Sequence, residues 1–262
     1  MIDLSQRPAS EPLLEAIAEV EAFEKTPLIE RFPYTDSYNL IKDSADRFKD
    51  KAALEFLLQG LPDEPAQSVS FAELGAQVTR TANLLNELGV TTNDAVSIIL
   101  PILPQTHFAI WGAQAAGISN PINPLLEAEH IAEIVTAANA KVVICLAQSE
   151  HSDINEKVRA ALSQCASVTT LLEVNIPGLC NPGAAELSKG NFDILDFDAS
   201  IALRDSTSLA SGRKFSGEQK AAYFHTGGTT GRPKLAQLTH GNMAFLGQLM
   251  QVYTAHMERH TV

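Results

Sequence analysis

A chain of 262 residues, 45% hydrophobic and 19% charged, carries enough apolar material for a sizeable core. Its formal net charge of −12 and pI near 5.0 argue against a nucleic-acid-binding surface, because phosphate backbones are held by basic patches and none is evident. The three cysteines, Cys145, Cys165 and Cys180, match neither a CxxC nor a His-rich metal pattern, so Cys145 reads as a buried strand residue and the other two as incidental.

Taken in chain order, residues 1–10 lack the basic-then-apolar pattern of a secretory signal, and with the unpaired cysteines this points to a reducing cytoplasm. Residues 11–23 place Leu13, Ile17 and Val20 at helical spacing and predict a first amphipathic helix. A second follows over 37–48, with Leu40, Ile41, Ala45 and Phe48 inward. A third covers 79–88, closed by Gly89 as its C-terminal cap. Between Asp94 and Glu127 there is no Asp, Glu, Lys or Arg, yet Pro101, Pro104, Pro121 and Pro124 interrupt the stretch, with polar residues scattered through it. Such a segment would leave backbone groups unsatisfied in lipid, so no transmembrane segment is expected. A buried parallel strand at 96–100, a helix over 105–116 packing Phe108, Trp111 and Ala115 on the sheet, and a second short apolar segment account for it. Trp111, the single tryptophan, is read as core.

Helix 127–138, strand 141–146 and a helix near 153–163 come next. Strands alternating with helices imply an α/β fold with a doubly wound parallel sheet. Residues 177–190, rich in Pro, Gly and Asn, read as a loop, and 206–217 as a polar linker. No internal repeat is present.

The stretch Thr226-Gly227-Gly228-Thr229-Thr230-Gly231-Arg232-Pro233-Lys234 carries the chemistry. Glycines let successive backbone N–H groups converge on one point, which favours an anion. Hydroxyls add donors that can also lean on a metal ion, and Lys234 adds a full positive charge. A plain surface turn needs less than this. A Walker loop requires lysine directly after glycine and a hydroxyl after lysine; here Arg232 and Pro233 intervene and Leu235 follows, so the kinase and P-loop ATPase class is set aside. No G-x-G-x-x-G fingerprint is present either. Residues 221–224 and 235–238 read as short strands on either side of the loop, with a helix starting near 239–242. The anion site is therefore expected on loop amides and side chains between two strands. His225 and His240, beside it, read as packing or hydrogen-bonding residues rather than acid–base groups.

At these residues the chain resembles the adenylate-forming superfamily: acyl-CoA synthetases, adenylation domains of peptide synthetases, and beetle luciferase. Residues 223–234, followed by Leu238-Thr239-His240-Gly241-Asn242, reproduce the family's Gly-Thr-Thr-Gly-x-Pro-Lys and Leu-Thr-His-x-Asn core pattern. Gly227 stands where serine is more usual, and Leu235 where glycine is. The likeness extends upstream to Asp50-Lys51-Ala52-Ala53-Leu54, to a helix start within 69–74, to 94–101 and to Asn120-Pro121-Ile122-Asn123-Pro124, covering roughly 37–146 and 218–250.

The resemblance implies the N-terminal part of the synthetases' large domain: an extension at 1–36, a first α/β subdomain at 37–217 and the start of a second at 218–262. It implies that a small-molecule carboxylic acid attacks the α-phosphorus of ATP, pyrophosphate leaves, and the acyl-adenylate is captured by the thiol of coenzyme A. Thr226, Gly227, Gly228, Thr229, Thr230, Gly231 and Lys234 would hold the phosphates, with Thr229 and Thr230 facing Mg2+. The histidine before the loop and Lys-Leu-Ala after it favour synthetases of fatty or aromatic acids. The family's ribose aspartate, adenine-side Thr-Glu pair and C-terminal lysine do not occur within these residues. The sequence is therefore expected to be the N-terminal portion of a longer enzyme, inactive by itself, with Met243, Leu246, Met250 and Tyr253 left uncovered on the last helix. A nucleotide-binding pseudoenzyme or regulatory module, and a peptide-synthetase adenylation domain, stay open as alternatives.

Overall fold

Asp36 opens the first helix by accepting from the N–H of Asn39 at 2.8 Å, a side-chain cap that satisfies one of the helix's orphan donors. The computed structural model describes residues 21–22, 25–27, 30, 32–181, 192–226 and 233–257. The helix expected over 11–23 lies outside them, apart from Glu21 and Ala22, which are helical. The capped helix is α1 (Ser37–Phe48), with the predicted bounds. Ala45 faces inward as expected, and Tyr38, which the pattern omits, is buried with it.

A two-stranded antiparallel hairpin follows, β1 (Ala52–Phe56) and β2 (Gln67–Ser70). Helix α2 (Phe71–Glu87) starts well before the apolar repeat at 79–88 suggests, because Ser70 Oγ accepts from Glu73 N at 3.1 Å and nucleates the extra turns. Gly89 ends it at φ 79°, and Val90 N reaches back to Leu85 O at 2.9 Å. That backward bond needs a left-handed residue, which glycine supplies without a Cβ penalty.

Strand β3 (Ala95–Ile99) is buried along its whole length, as the charge-free run implies. Helix α3 (Pro104–Ala116) and strand β4 (Ile118–Pro121) then cross to one side of it, while α4 (Ala128–Ala137), β5 (Ala140–Leu146), α5 (Ile154–Leu162) and β6 (Thr170–Val174) step to the other. Right-handed crossovers in opposite directions put the helices on opposite faces, which makes the sheet doubly wound. Strand β7 (Asp193–Asp196) and the short α6 (Phe197–Ala202) complete that side. On the other side β8 (Lys220–Thr226) pairs with β4, and β9 (Lys234–Thr239) turns back along β8 before α7 (His240–Met257).

The seven strands lie in the order β7-β6-β5-β3-β4-β8-β9, with every pair parallel except β8 and β9. The predicted α/β sheet is present, with an antiparallel edge. β6, β7 and α6 arise where the sequence pattern predicts no regular element. Glu173 interrupts the apolar run of β6, and Arg159 of α5 answers it at 2.7 Å. β7, flanked by two aspartates, is a short charged edge strand of the kind that resists pairing with other chains.

Trp111 packs against the core, and all three cysteines are buried and free. Burial pushes the Cys145 thiol far above its ordinary range. On α7 the inward face carries Ala244 and Gln248, while Leu246, Leu249 and Met250 are exposed and Met243 is half-buried. Tyr253's side chain lies outside the described residues. Among these residues no helix is long and apolar enough to cross a membrane.

Helices α2 and α3 meet at Gly112, where a Cβ would stand 2.5 Å from Thr81 Cβ. Gly112→Ala should therefore force the two helices apart and cost about 1–3 kcal/mol. Chemical denaturation of the variant checks this; an unchanged midpoint would show that the crossing is looser than the distance implies.

Candidate functional site

In a doubly wound sheet, ligands bind beyond the carboxyl ends of the strands. The β8–β9 hairpin carries its tip to that edge. β8 ends at Thr226 and β9 begins at Lys234, the two paired in register, with Thr226 Oγ1 donating to Lys234 O at 3.4 Å. Both residues are exposed. The pairing brings a hydroxyl and an ammonium group to the two feet of the glycine-rich segment. Gly227, Gly228, Thr229, Thr230 and Gly231 themselves lie outside the described residues. The strands predicted at 221–224 and 235–238 are present and slightly longer, and they are antiparallel, as a short connection requires.

His225, one residue before the tip, faces the loop after β4: its Nε2 accepts from the N–H of Asn123 at 3.3 Å. The same Asn123 turns its side-chain oxygen back to Leu125 N at 3.0 Å. The Asn-Pro loop and the hairpin tip are thus fastened to each other at the carboxyl edge. At the other end, Thr239 and Asn242 cap α7 reciprocally: Thr239 N donates to Asn242 Oδ1 at 3.0 Å, and Asn242 N to Thr239 Oγ1 at 3.2 Å. This explains the Thr-His-Gly-Asn spacing as helix-start chemistry. His240, between them, is fully buried, and desolvation followed by the nearby Arg213 charge lowers its pKa to about 4. Both histidines thus make hydrogen-bonding contacts with neighbouring segments.

Sequence patterning misses Asn123, Arg213 and Asn83. Asn83, on α2, donates to Asp205 O and Ser208 O at 2.9 Å and accepts from Ala210 N at 2.8 Å, pinning a segment that reads as a plain linker. Those partners are more than a hundred residues away, so no local signal could point to them. No group of three or more His, Cys, Asp or Glu is arranged to hold a metal ion among the described residues. Thr226 and Lys234 supply a hydroxyl and a cation, donors that suit an anion.

Comparison with known proteins gives a consistent picture. The family model for AMP-binding enzymes matches residues 41–262. The chain is 32% identical over 224 residues to the marinolic acid–CoA ligase of Pseudoalteromonas sp. (strain SANK 73390), covering 86% of this chain and 32% of the relative. It is 28% identical over 207 residues to the crotonobetaine/carnitine–CoA ligase of Salmonella paratyphi A, covering 78% of this chain and 36% of that one. The fold is shared with the crystal structure of an anthranilate CoA ligase in complex with anthranoyl-AMP, at TM-score 0.65 and 18% identity, over 83% of this chain and 36% of the other. The chain thus spans about a third of the length of the curated relatives it matches.

Proposed function

Because the chain belongs to the AMP-binding enzyme family, we propose that it supplies the phosphate loop of an ATP-dependent, AMP-forming acid–thiol ligase. In the first half-reaction a carboxylate oxygen bonds to the α-phosphorus of ATP and the bond to the β-phosphate bridge breaks, giving acyl-adenylate and pyrophosphate. In the second, the thiol sulfur of coenzyme A bonds to the acyl carbon, AMP leaves, and a thioester results. That the relatives are named as CoA ligases supports joining an acid to coenzyme A as the overall outcome. The observation that carries the reading is the hairpin tip, where Thr226 and Lys234 are paired at the carboxyl edge of the sheet on either side of a Gly-Thr-rich segment.

In this reading Thr226, Gly227, Gly228, Thr229, Thr230, Gly231 and Lys234 hold the β- and γ-phosphates. Adenylation needs no side-chain nucleophile; positioning and charge matching suffice. Mg2+, when bound, would neutralise phosphate charge, and the hydroxyls of Thr229 and Thr230 are the chain's own groups that would face it. We take the acid to be a fatty or aromatic one and the compartment to be the cytoplasm, which three free thiols suit. Residues 1–262 by themselves are proposed to be inert, since the groups that the family uses for ribose, adenine and the C-terminal lysine are not among them.

Carboxylate-dependent exchange of labelled pyrophosphate into ATP tests the assignment. The whole protein carrying these residues should catalyse the exchange with some member of a panel of fatty and aromatic acids, and the 262-residue polypeptide should not. Failure of the whole protein with every acid, while it remains folded, would remove the ligase reading.

A further inference from the structure

The base of the hairpin, at the opposite end from Thr226 and Lys234, is organised around a half-buried cation, Arg213. Arg213 comes from the irregular segment before β8, yet its Nη1 donates to Gln114 O and Ala115 O at 3.0 Å each. These are last-turn carbonyls of α3, which lack intrahelical partners and carry the negative end of the helix dipole. The guanidinium carbon lies 4.8 Å from the centre of the Phe215 ring, a cation–π contact. Its Nη2 is 3.4 Å from His240 Nε2. A guanidinium has no acceptor, so His240 Nε2 must accept and its proton must sit on Nδ1. Phe215 in turn meets the His240 ring edge-on at 5.2 Å and stacks on Tyr38 at 5.7 Å.

This cluster joins the elements that could set the hairpin's position. His240 is the first residue of α7, directly after β9, and its backbone N–H bonds to Gln219 O at 2.9 Å. Gln114 of α3 accepts from Ser37 Oγ at 2.7 Å and donates to Ser119 Oγ at 3.4 Å, and Ser119 reaches Ala221 O of β8 at 3.5 Å. The end of α3 is therefore bonded to both legs of the hairpin, to β8 through Ser119 and to the end of β9 through Arg213 and His240. At the tip the hairpin is also tied by the Asn123 N–H donating to His225 Nε2. β8 meets β4 at the single register pair Ser119↔Ala222, and β9 is the sheet's edge.

We propose that Arg213 is a positioning residue for the phosphate-loop hairpin: by bonding the end of α3 to His240 it fixes where β9 passes into α7, and hence where Thr226 and Lys234 stand at the other end. This rests on reading residues 226–234 as the phosphate loop. The latch works only while His240 is neutral. The titratable and charged groups around it are Arg213 itself, Asp36, whose charge reaches Arg213, and Tyr38 behind Phe215. Burial and Arg213 together keep the imidazole uncharged throughout the ordinary working range.

The test uses the whole protein and the variants Arg213→Met and Arg213→Lys. Arg213→Met should lose about 100-fold in kcat/KM for ATP in pyrophosphate exchange, the effect of a misplacement of about 1 Å. Transfer from pre-formed acyl-adenylate to coenzyme A should change little. Without the guanidinium the His240 pKa should rise only in part, because burial, the larger cause of its lowering, remains. Amide hydrogen exchange should accelerate in 220–226 and 234–239 and stay unchanged in β3 and β5. Arg213→Lys, which keeps the charge but not the fork, should recover part of the loss. Should Arg213→Met fail to fold, the lysine variant decides by the same split between half-reactions. If Arg213→Met keeps parental exchange kinetics and hairpin protection, or if either variant slows both half-reactions equally, Arg213 does not position the loop. If the parent itself shows no exchange activity, the phosphate-loop reading fails, and the hydrogen-exchange arm still reports separately whether Arg213 holds the hairpin.

Discussion

Lys234→Ala in the whole protein should slow the proposed adenylation half-reaction by about 10²–10³, on the order of 2.7–4 kcal/mol, while binding of the acid changes little. Thr229→Ala should act in the same direction. The physical reason is where charge develops. As the bond at the α-phosphorus breaks, pyrophosphate gains negative charge, so a fixed ammonium or hydroxyl donor aimed at it is stronger in the transition state than in the ground state. Lys234 suits this role because its backbone is fixed by pairing with Thr226 at the start of β9 and its side chain is exposed at the hairpin tip. The second half-reaction contains no pyrophosphate. Comparing pyrophosphate exchange with thioester formation from pre-formed acyl-adenylate therefore isolates the effect. Equal losses in both assays would mean that Lys234 holds the hairpin together rather than the phosphates, and the assignment of residues 226–234 would fall with it.

Phe197→Ala is expected to be the most damaging of the core truncations in the region between 147 and 217. Its ring is fully buried at the first turn of α6, a helix that packs against α2, β6 and β7. Removing a buried Phe costs about 3–5 kcal/mol through lost transfer energy and the cavity left behind. That is a large share of the roughly 5–15 kcal/mol that stabilises a domain. Leu203, just beyond the same helix, is 81% exposed and offers the control: Leu203→Ala should stay within about 0.5 kcal/mol of the parent. Equilibrium urea unfolding of both variants distinguishes them. Similar midpoints would mean that β7 and α6 pack more loosely than the burial of Phe197 indicates.

What local pattern can encode was legible. The charge-free run around Val96 dictates a strand buried on both faces, and β3 is buried at every residue. The 3.6-residue repeat of α1 and the glycine that closes α2 follow from contacts within a few residues. So does the antiparallel turn from β8 to β9, since a short glycine-rich connection between two apolar segments leaves little alternative. The chemistry proposed for 226–234 is likewise a property of residue types at short spacing.

Where a group's partner is distant in sequence, only the tertiary structure decided the outcome. Glu173 looks out of place in a strand until Arg159 stands 2.7 Å away, and β7 and α6 exist because the sheet and α2 receive them, not because their own pattern demands it. Asn83 and Arg213 turn residues 205–215 from a tether into a fastened segment, through carbonyls and an imidazole brought together by folding. Periodicity records which face of an element is apolar, because water acts on each side chain locally. It records nothing of a directional hydrogen bond to a backbone oxygen a hundred residues away, whose position is set only once the helices and strands have packed.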